Sequence, residues 1–325
     1  MKHHLADFLD RDDGHWTFTP NRQRYGQGIA DAPDGSPDVV VATIGRDTTD
    51  WERVLDFPRL EELTLHEPSK EQFEAVGRLR SIRRLRVTHH RPKTIESLAA
   101  AVGVEEMILE YVSGFSDLSP LRALPRLRSV YFENLRRVTR FDGLAGCSEL
   151  RYLAIHGTLD WDQPIHDFEF VEELPALEVL SAHSVRALAG PPVALPIARS
   201  TSLRRLRIMN QILTALDHAI LEVGLPHVDG ARFGPWELEY DKYHQVAQDD
   251  PRVEEARRAG RSVHQRYDGL ISVAAPEPAW FRPTGRGARR FRRNGTKANA
   301  RRCADVTARY DDLKDEARRL LGEAS

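Results

Sequence analysis

The chain has 325 residues, long enough for one extended domain or two ordinary ones. Lys and Arg total 47 against 49 Asp and Glu, which excludes a general polyanion binder but leaves room for a local charged patch. Two distant cysteines, Cys147 and Cys303, make neither a disulfide framework nor a zinc site. The first residues lack the apolar run of a secretory signal, and no stretch reaches the roughly 18 apolar residues that span a bilayer. A cytoplasmic protein with no membrane contact is the expectation.

Residues 1–37 read as an N-terminal segment. Val39 to Ile44 is β-branched, and Trp51, Val54 and Phe57 follow at three-residue steps. This predicts a degenerate capping unit from about Asp38. Eight segments follow, starting at Leu60, Ile82, Val104, Leu127, Leu150, Leu177, Leu203 and Val228. Each has apolar residues at relative positions 1, 4 and 6, as in L60-EE-L63-T-L65. Successive starts differ by 22, 22, 23, 23, 27, 26 and 25 residues, a period that marks a repeat architecture. The intervening halves repeat too: Phe73, Val76 and Leu79; Ile95, Leu98 and Ala101; Leu118, Leu121 and Leu124; Phe141, Leu144 and Cys147. Three-residue spacing predicts short helical or 3-10 return legs with one stripe inward. Cys147 is then a small buried hydrophobe.

The pattern L-x-x-L-x-L, with "DLSPLRALPRL" at Asp117–Leu127, resembles the leucine-rich repeat family over roughly Val39 to Pro235. The nearest flavour is the 22-residue type of internalins and a phosphatase regulator. The resemblance implies a bacterial interaction protein of class α/β, a solenoid with a parallel concave sheet. One departure stands out. The family's Asn, three places after the last strand leucine, is replaced by Pro68, His90, Val112, Leu135, Thr158, Val185 and Gln211. The turn backbone must therefore be satisfied by other groups.

Strand positions between the core leucines point outward. Glu61-Glu62, Arg83-Arg84, Glu105-Glu106, Arg128-Ser129, Arg151-Tyr152, Glu178-Val179, Arg204-Arg205 and Asp229-Gly230 alternate in sign at nearly every step. Strands about 4.8 Å apart would let these charges neutralise one another. The partner patch, for an unidentified protein, is therefore expected around the tyrosines of the middle repeats: Tyr111, Arg128, Tyr131, Glu133, Arg151, Tyr152, His156, His183, Met209 and Asn210. As surface aromatics, Tyr131 and Tyr152 should tolerate alanine with little change in melting temperature. His156 and His183 share a register but lack further ligands, so no metal and no cofactor are assigned.

Residues 236–325 form the rest, after a solenoid assigned to 38–235. Trp236 and Tyr240 are expected to cap the last repeat. Asp250–Tyr267 reads as a polar helix or linker, and Val273–Gly287 as extended or looped. From Arg282 to Arg302 nine basic residues occur with no acidic one, so at +9 the remainder carries −11 to give the total of −2. Nucleic acid or another polyanion is the alternative partner here, through Arg286, Arg289, Arg290, Arg292, Arg293 and Lys297, with Trp280, Phe281 and Phe291 available to stack. Thr296 to Gly322 has helical apolar periodicity and is expected to be docked. No P-loop, dinucleotide fingerprint or His-Glu-x-x-His is present, so a non-enzyme is expected. Cys303-Ala304-Asp305 matches the Cys-x-Asp of bacterial effector ubiquitin ligases, a remote catalytic alternative weakened by the roughly ninety residues available.

Overall fold

The computed structural model describes residues 6, 9, 11, 14–24, 26–209, 211–266 and 269–322. Residues two apart on an extended strand share a face, so Leu63 and Leu65, or Met107 and Leu109, turn inward together. This pattern builds β1 (Val41–Gly45), β2 (Glu62–His66), β3 (Arg84–Thr88), β4 (Glu106–Glu110), β5 (Ser129–Glu133) and β6 (Tyr152–His156). A short ribbon strand β7 (Gln163–Ile165) precedes β8 (Val179–His183), and its partner β9 (Val185–Ala187) precedes β10 (Arg205–Ile208). The main sheet is parallel, in the order β1-β2-β3-β4-β5-β6-β8-β10. Register keeps one repeat position in line, as Leu63, Leu85, Met107, Val130, Leu153, Leu180 and Leu206. The β7–β9 ribbon lies in the insertions that lengthen the later repeats.

The return legs are largely 3-10 turns, at Trp51–Asp56, Val76–Arg78, Glu96–Ala100, Ser119–Ala123, Asp142–Leu144 and Glu169–Glu173. Helical legs occupy Lys70–Ala75, Leu195–Ala198 and Ala215–Gly224. Every return-leg residue named from Phe73 to Cys147 is buried in one continuous core. Burial also pushes the Cys147 thiol pKa up, which disfavours the reactive thiolate.

The capping unit is present as β1, but the eighth predicted repeat is not a full strand. Val228 and Ala231 are buried as its pattern requires, yet pairing reaches only a single bridge between Arg205 and Asp229. Gly230 adopts φ 82°, and the chain leaves the sheet there.

Other side chains satisfy backbone groups of the turns and return legs, in one case at a missing-asparagine position, Leu135. Gln163, buried, accepts from the Leu135 N–H at 2.9 Å and donates to the Val138 carbonyl at 2.7 Å. Asp217 accepts from the N–H groups of Val193 and Ala194 at 2.6 and 3.0 Å. Gln72 donates to the Gly45 carbonyl at 2.7 Å. These groups are spaced irregularly, so no ladder shows in the sequence.

Beyond the repeats, β11 (Trp236–Glu239) pairs with β15 (Trp280–Pro283), which pairs with β16 (Phe291–Arg292). A second small sheet joins β12 (Tyr243–Val246), β14 (Ile271–Ala274) and β13 (Val263–Gln265), with helix Pro251–Arg258 packed on it through Val253 and Ala256. The expected linker is thus partly helix, and the extended stretch is partly strand. Trp236 packs edge-on against Phe281 rather than joining the repeat core. The terminal helix, Lys297–Leu321, begins at its Thr296 cap and ends at Gly322 in the left-handed region. It supplies Tyr310, Leu313, Ala317 and Leu321 to the repeat core, and the Tyr310 hydroxyl donates to Glu222 at 3.1 Å. The cap is therefore this helix, packed on Ala215–Gly224, and not the tryptophan.

Replacing Gln163 with Leu leaves the Leu135 N–H and Val138 carbonyl without their buried partner. The substitution should destabilise the chain by about 1–3 kcal/mol in denaturant unfolding. An unchanged midpoint would show that the turn is satisfied without it.

Candidate functional site

The outward side of the sheet carries three rows. One runs Glu62, Arg84, Glu106, Ser129, Tyr152, Val179, Arg205; the next runs Thr64, Arg86, Ile108, Tyr131, Ala154, Ser181, Arg207. The third runs His66, Thr88, Glu110, Glu133, His156, His183. Charge pairing follows the expected alternation. Arg83 meets Glu105 at 2.9 Å, Arg84 meets Glu62 at 3.1 Å and Arg128 meets Glu106 at 2.8 Å. Arg151 meets Glu178 at 3.3 Å.

The middle of this face is not open. Residues 14–19 cross it as an extended arm. Trp16 and Phe18, two residues apart, both turn onto the sheet and are buried. The Trp16 ring lies 4.9 Å from Tyr152 and 6.2 Å from Tyr131, edge-on to both. Phe18 lies beneath the Arg86 guanidinium at 5.1 Å. With Ala6, Ile108, Ala154 and Val179 they form an apolar cluster separate from the repeat core.

The arm backbone is held by carboxylates of the charge ladder. Glu106 accepts from the Thr17 N–H at 2.8 Å and from its hydroxyl at 2.6 Å. Glu62 accepts from the Thr19 N–H at 2.9 Å. The Ser129 hydroxyl donates to the His15 carbonyl at 2.7 Å. Charge-assisted bonds of this kind are the stronger ones. Next to the arm, Arg24 and Glu110 form a fully buried pair at 3.5 Å. Burial lowers the Arg86 pKa to about 10, against the attraction of Glu110.

Tyr131 is 1% exposed and Tyr152 2%, and Glu133 is fully buried, so the expected surface patch is an internal contact. Outward positions were outward only from the repeat core; the arm supplies a second cover. The Tyr131 hydroxyl donates to Glu133 at 3.1 Å and sits 3.2 Å from His156 Nδ1, while His156 Nε2 lies 3.0 Å from Ser181 Oγ. His156 and His183 do approach, with ring centroids 4.9 Å apart. Among the described residues, no three His, Cys, Asp or Glu side chains converge as a metal site. Tyr111 is half-buried and stacks on His89 at 4.9 Å. Arg128 and Arg151 line an open cavity of about 740 Å³ beside Gly14 and His15. Met209 lies just past β10 and is 44% exposed; Asn210 lies outside the described residues. The arm has only a short signature in the sequence. Its signal was the alternation Trp16-Thr17-Phe18-Thr19, together with an apolar Ile108, Ala154 and Val179 at outward positions.

The basic segment is divided. Arg282 pairs with Glu239, Arg290 with Glu239 at 3.2 Å, and Arg293 with Glu277 at 3.3 Å. Arg290 and Arg292 lie over the Trp280 ring. Arg286 and Arg289 face a separate cleft, and Lys297 opens the terminal helix. Cys303 and Asp305 sit two residues apart on that helix, a spacing that points side chains to different faces.

The stacked parallel strands, their period and their short return legs define a leucine-rich-repeat solenoid. Its early repeats are the short 22-residue type. No protein-family model matches the chain, and no curated protein does. Solved structures similar to it include an internalin of Listeria monocytogenes, at 15% identity and TM-score 0.42, covering 52% of this chain and 54% of that one. An internalin C2 of the same organism is similar at 18% identity and TM-score 0.37, covering 52% and 71%. A Leptospira interrogans leucine-rich-repeat protein is similar at 12% identity and TM-score 0.32, covering 55% and 56%. The chain thus spans about half the length of the first and third.

Two measurements follow. Alanine at Tyr131 or Tyr152 should cost about 3–5 kcal/mol, as for other buried aromatics, and visibly lower the melting temperature. Burial lowers the pKa of His156 well below 6.5, and that of His183 also. The folded chain takes up these protons only at lower pH than the unfolded chain, whose histidines titrate near 6.5, so their contribution is present above that pH and lost as pH falls below it. Melting temperature should therefore fall between about pH 7.5 and 5.5, less steeply in His156→Asn. An equal slope in the variant would assign the effect elsewhere.

Proposed function

We propose that the protein is a non-catalytic recognition scaffold whose concave sheet takes an extended segment of a partner protein. One observation carries this reading: the face already accommodates such a segment, residues 14–19 of the same chain. The contacts are ones another peptide can make. Two backbone N–H groups, two residues apart, meet Glu106 and Glu62, and an aromatic side chain enters between Tyr131 and Tyr152. The flanking Arg128, Arg151, Tyr111, His183 and Met209 then serve as rim contacts for residues beyond the arm. A partner competes with a tethered segment, so its apparent affinity is reduced by the fraction of time the arm is docked.

The alternative, nucleic acid along 282–302, has less support. Arg282, Arg290 and Arg293 are paired with carboxylates, and phosphate binding draws on unpaired cations.

A labelled peptide spanning residues 11–22 tests the groove. It should bind the full chain carrying Trp16→Ala and Phe18→Ala about tenfold or more tightly than the unaltered chain. Absence of binding to the folded double variant would rule out the concave face as a peptide receptor.

A further inference from the structure

The terminal helix and the loop after β15 enclose a cleft of about 380 Å³. Among the described residues, its charged lining consists of Arg286, Arg289, Arg302 and Arg309, with no carboxylate. Arg302 and Arg309 are seven residues apart on Lys297–Leu321, about two turns, and so share a face. The floor is apolar, with Pro235, Pro283, Val306 and Leu313.

The loop is fixed rather than loose. The Arg286 N–H donates to the Leu213 carbonyl at 2.7 Å, and the Thr284 hydroxyl donates to the Gly234 carbonyl at 2.6 Å. Gly285, at φ 103°, presses so closely on Ala215 that a Cβ would meet its backbone nitrogen at 2.4 Å. Arg286 and Arg289 are thereby held opposite the helix.

What sets these four apart is that they converge on one cleft. Several arginines elsewhere in the C-terminal region meet carboxylates: Arg252 with Asp250, Arg257 with Glu254, Arg261 with Glu255, Arg293 with Glu277 and Arg318 with Asp315. Among the described residues, none of Arg286, Arg289, Arg302 and Arg309 has a carboxylate partner; Arg302 stacks over Phe291 at 4.3 Å. Four like charges around one cavity repel one another, and an anion seated among them relieves that repulsion.

We propose that this cleft binds a compact organic phosphate, of the class of nucleoside di- and triphosphates. Guanidinium forks match phosphate oxygens two at a time. The volume falls in the range of small-molecule sites, and the apolar floor suits the ligand's uncharged body. A polymer is disfavoured because three of the neighbouring cations that would extend a track, Arg282, Arg290 and Arg293, are spent on Glu239 and Glu277.

Calorimetric titration of the full chain at low salt tests the site, with ATP, inorganic pyrophosphate, adenosine and a single-stranded oligouridylate as probes. ATP should bind, pyrophosphate more weakly, and adenosine not at all. Arg289→Gln with Arg309→Gln should weaken ATP by about tenfold or more, with the melting temperature of the free chain unchanged. Arg293→Gln should leave ATP binding as it is. Failure of both ATP and pyrophosphate to bind would overturn the proposal, as would equal ATP affinity in the double variant. Binding of oligouridylate that strengthens with length, without ATP binding, would replace it with a nucleic-acid contact.

Discussion

A parallel sheet has two faces, and neither can be left with apolar side chains in water. One repeat cannot cover its own inner stripe, so neighbours stack and share a core. That requirement fixes the period, the register and the buried line from Leu63 to Leu206. The outer face has the same requirement on a smaller scale. Ile108, Ala154, Tyr131 and Val179 form an apolar island among charges, and Trp16 and Phe18 cover it.

The charge ladder has two roles on this face. Its outer members hold one another, as Arg83 and Glu105 do. Its inner members, Glu62 and Glu106, also hold the arm through backbone N–H groups. A carboxylate with an arginine on one side and a peptide N–H on the other is well satisfied even when buried. Specificity of the arm for this position rests on that spacing as much as on the aromatic rings.

The repeats were legible because periodicity accumulates over many units. Core positions, return legs, the capping strand and the terminal helix all follow from spacing alone. Single substitutions of function were not legible. Gln163 does the work of a missing Asn from a different place in the repeat, and Val228 keeps a core position without a strand around it. The arm is six residues with one short alternation, too brief to stand out. Without it, Tyr131 and Tyr152 read as surface. In the basic segment the total charge is readable from composition, while the division between Arg290 on Glu239 and Arg289 in the cleft depends on which strands pair.

The arm also sets an order of assembly. Repeats touch their neighbours across 22 to 27 residues, so each can form soon after it is made. Thr17 must reach Glu106, 89 residues away, and His15 must reach Ser129, 114 residues away. The arm is thus made well before the strands that hold it. Until β4 to β6 exist, Trp16 and Phe18 have nothing to dock on, and during synthesis they stay available to chaperones or to a neighbouring nascent chain.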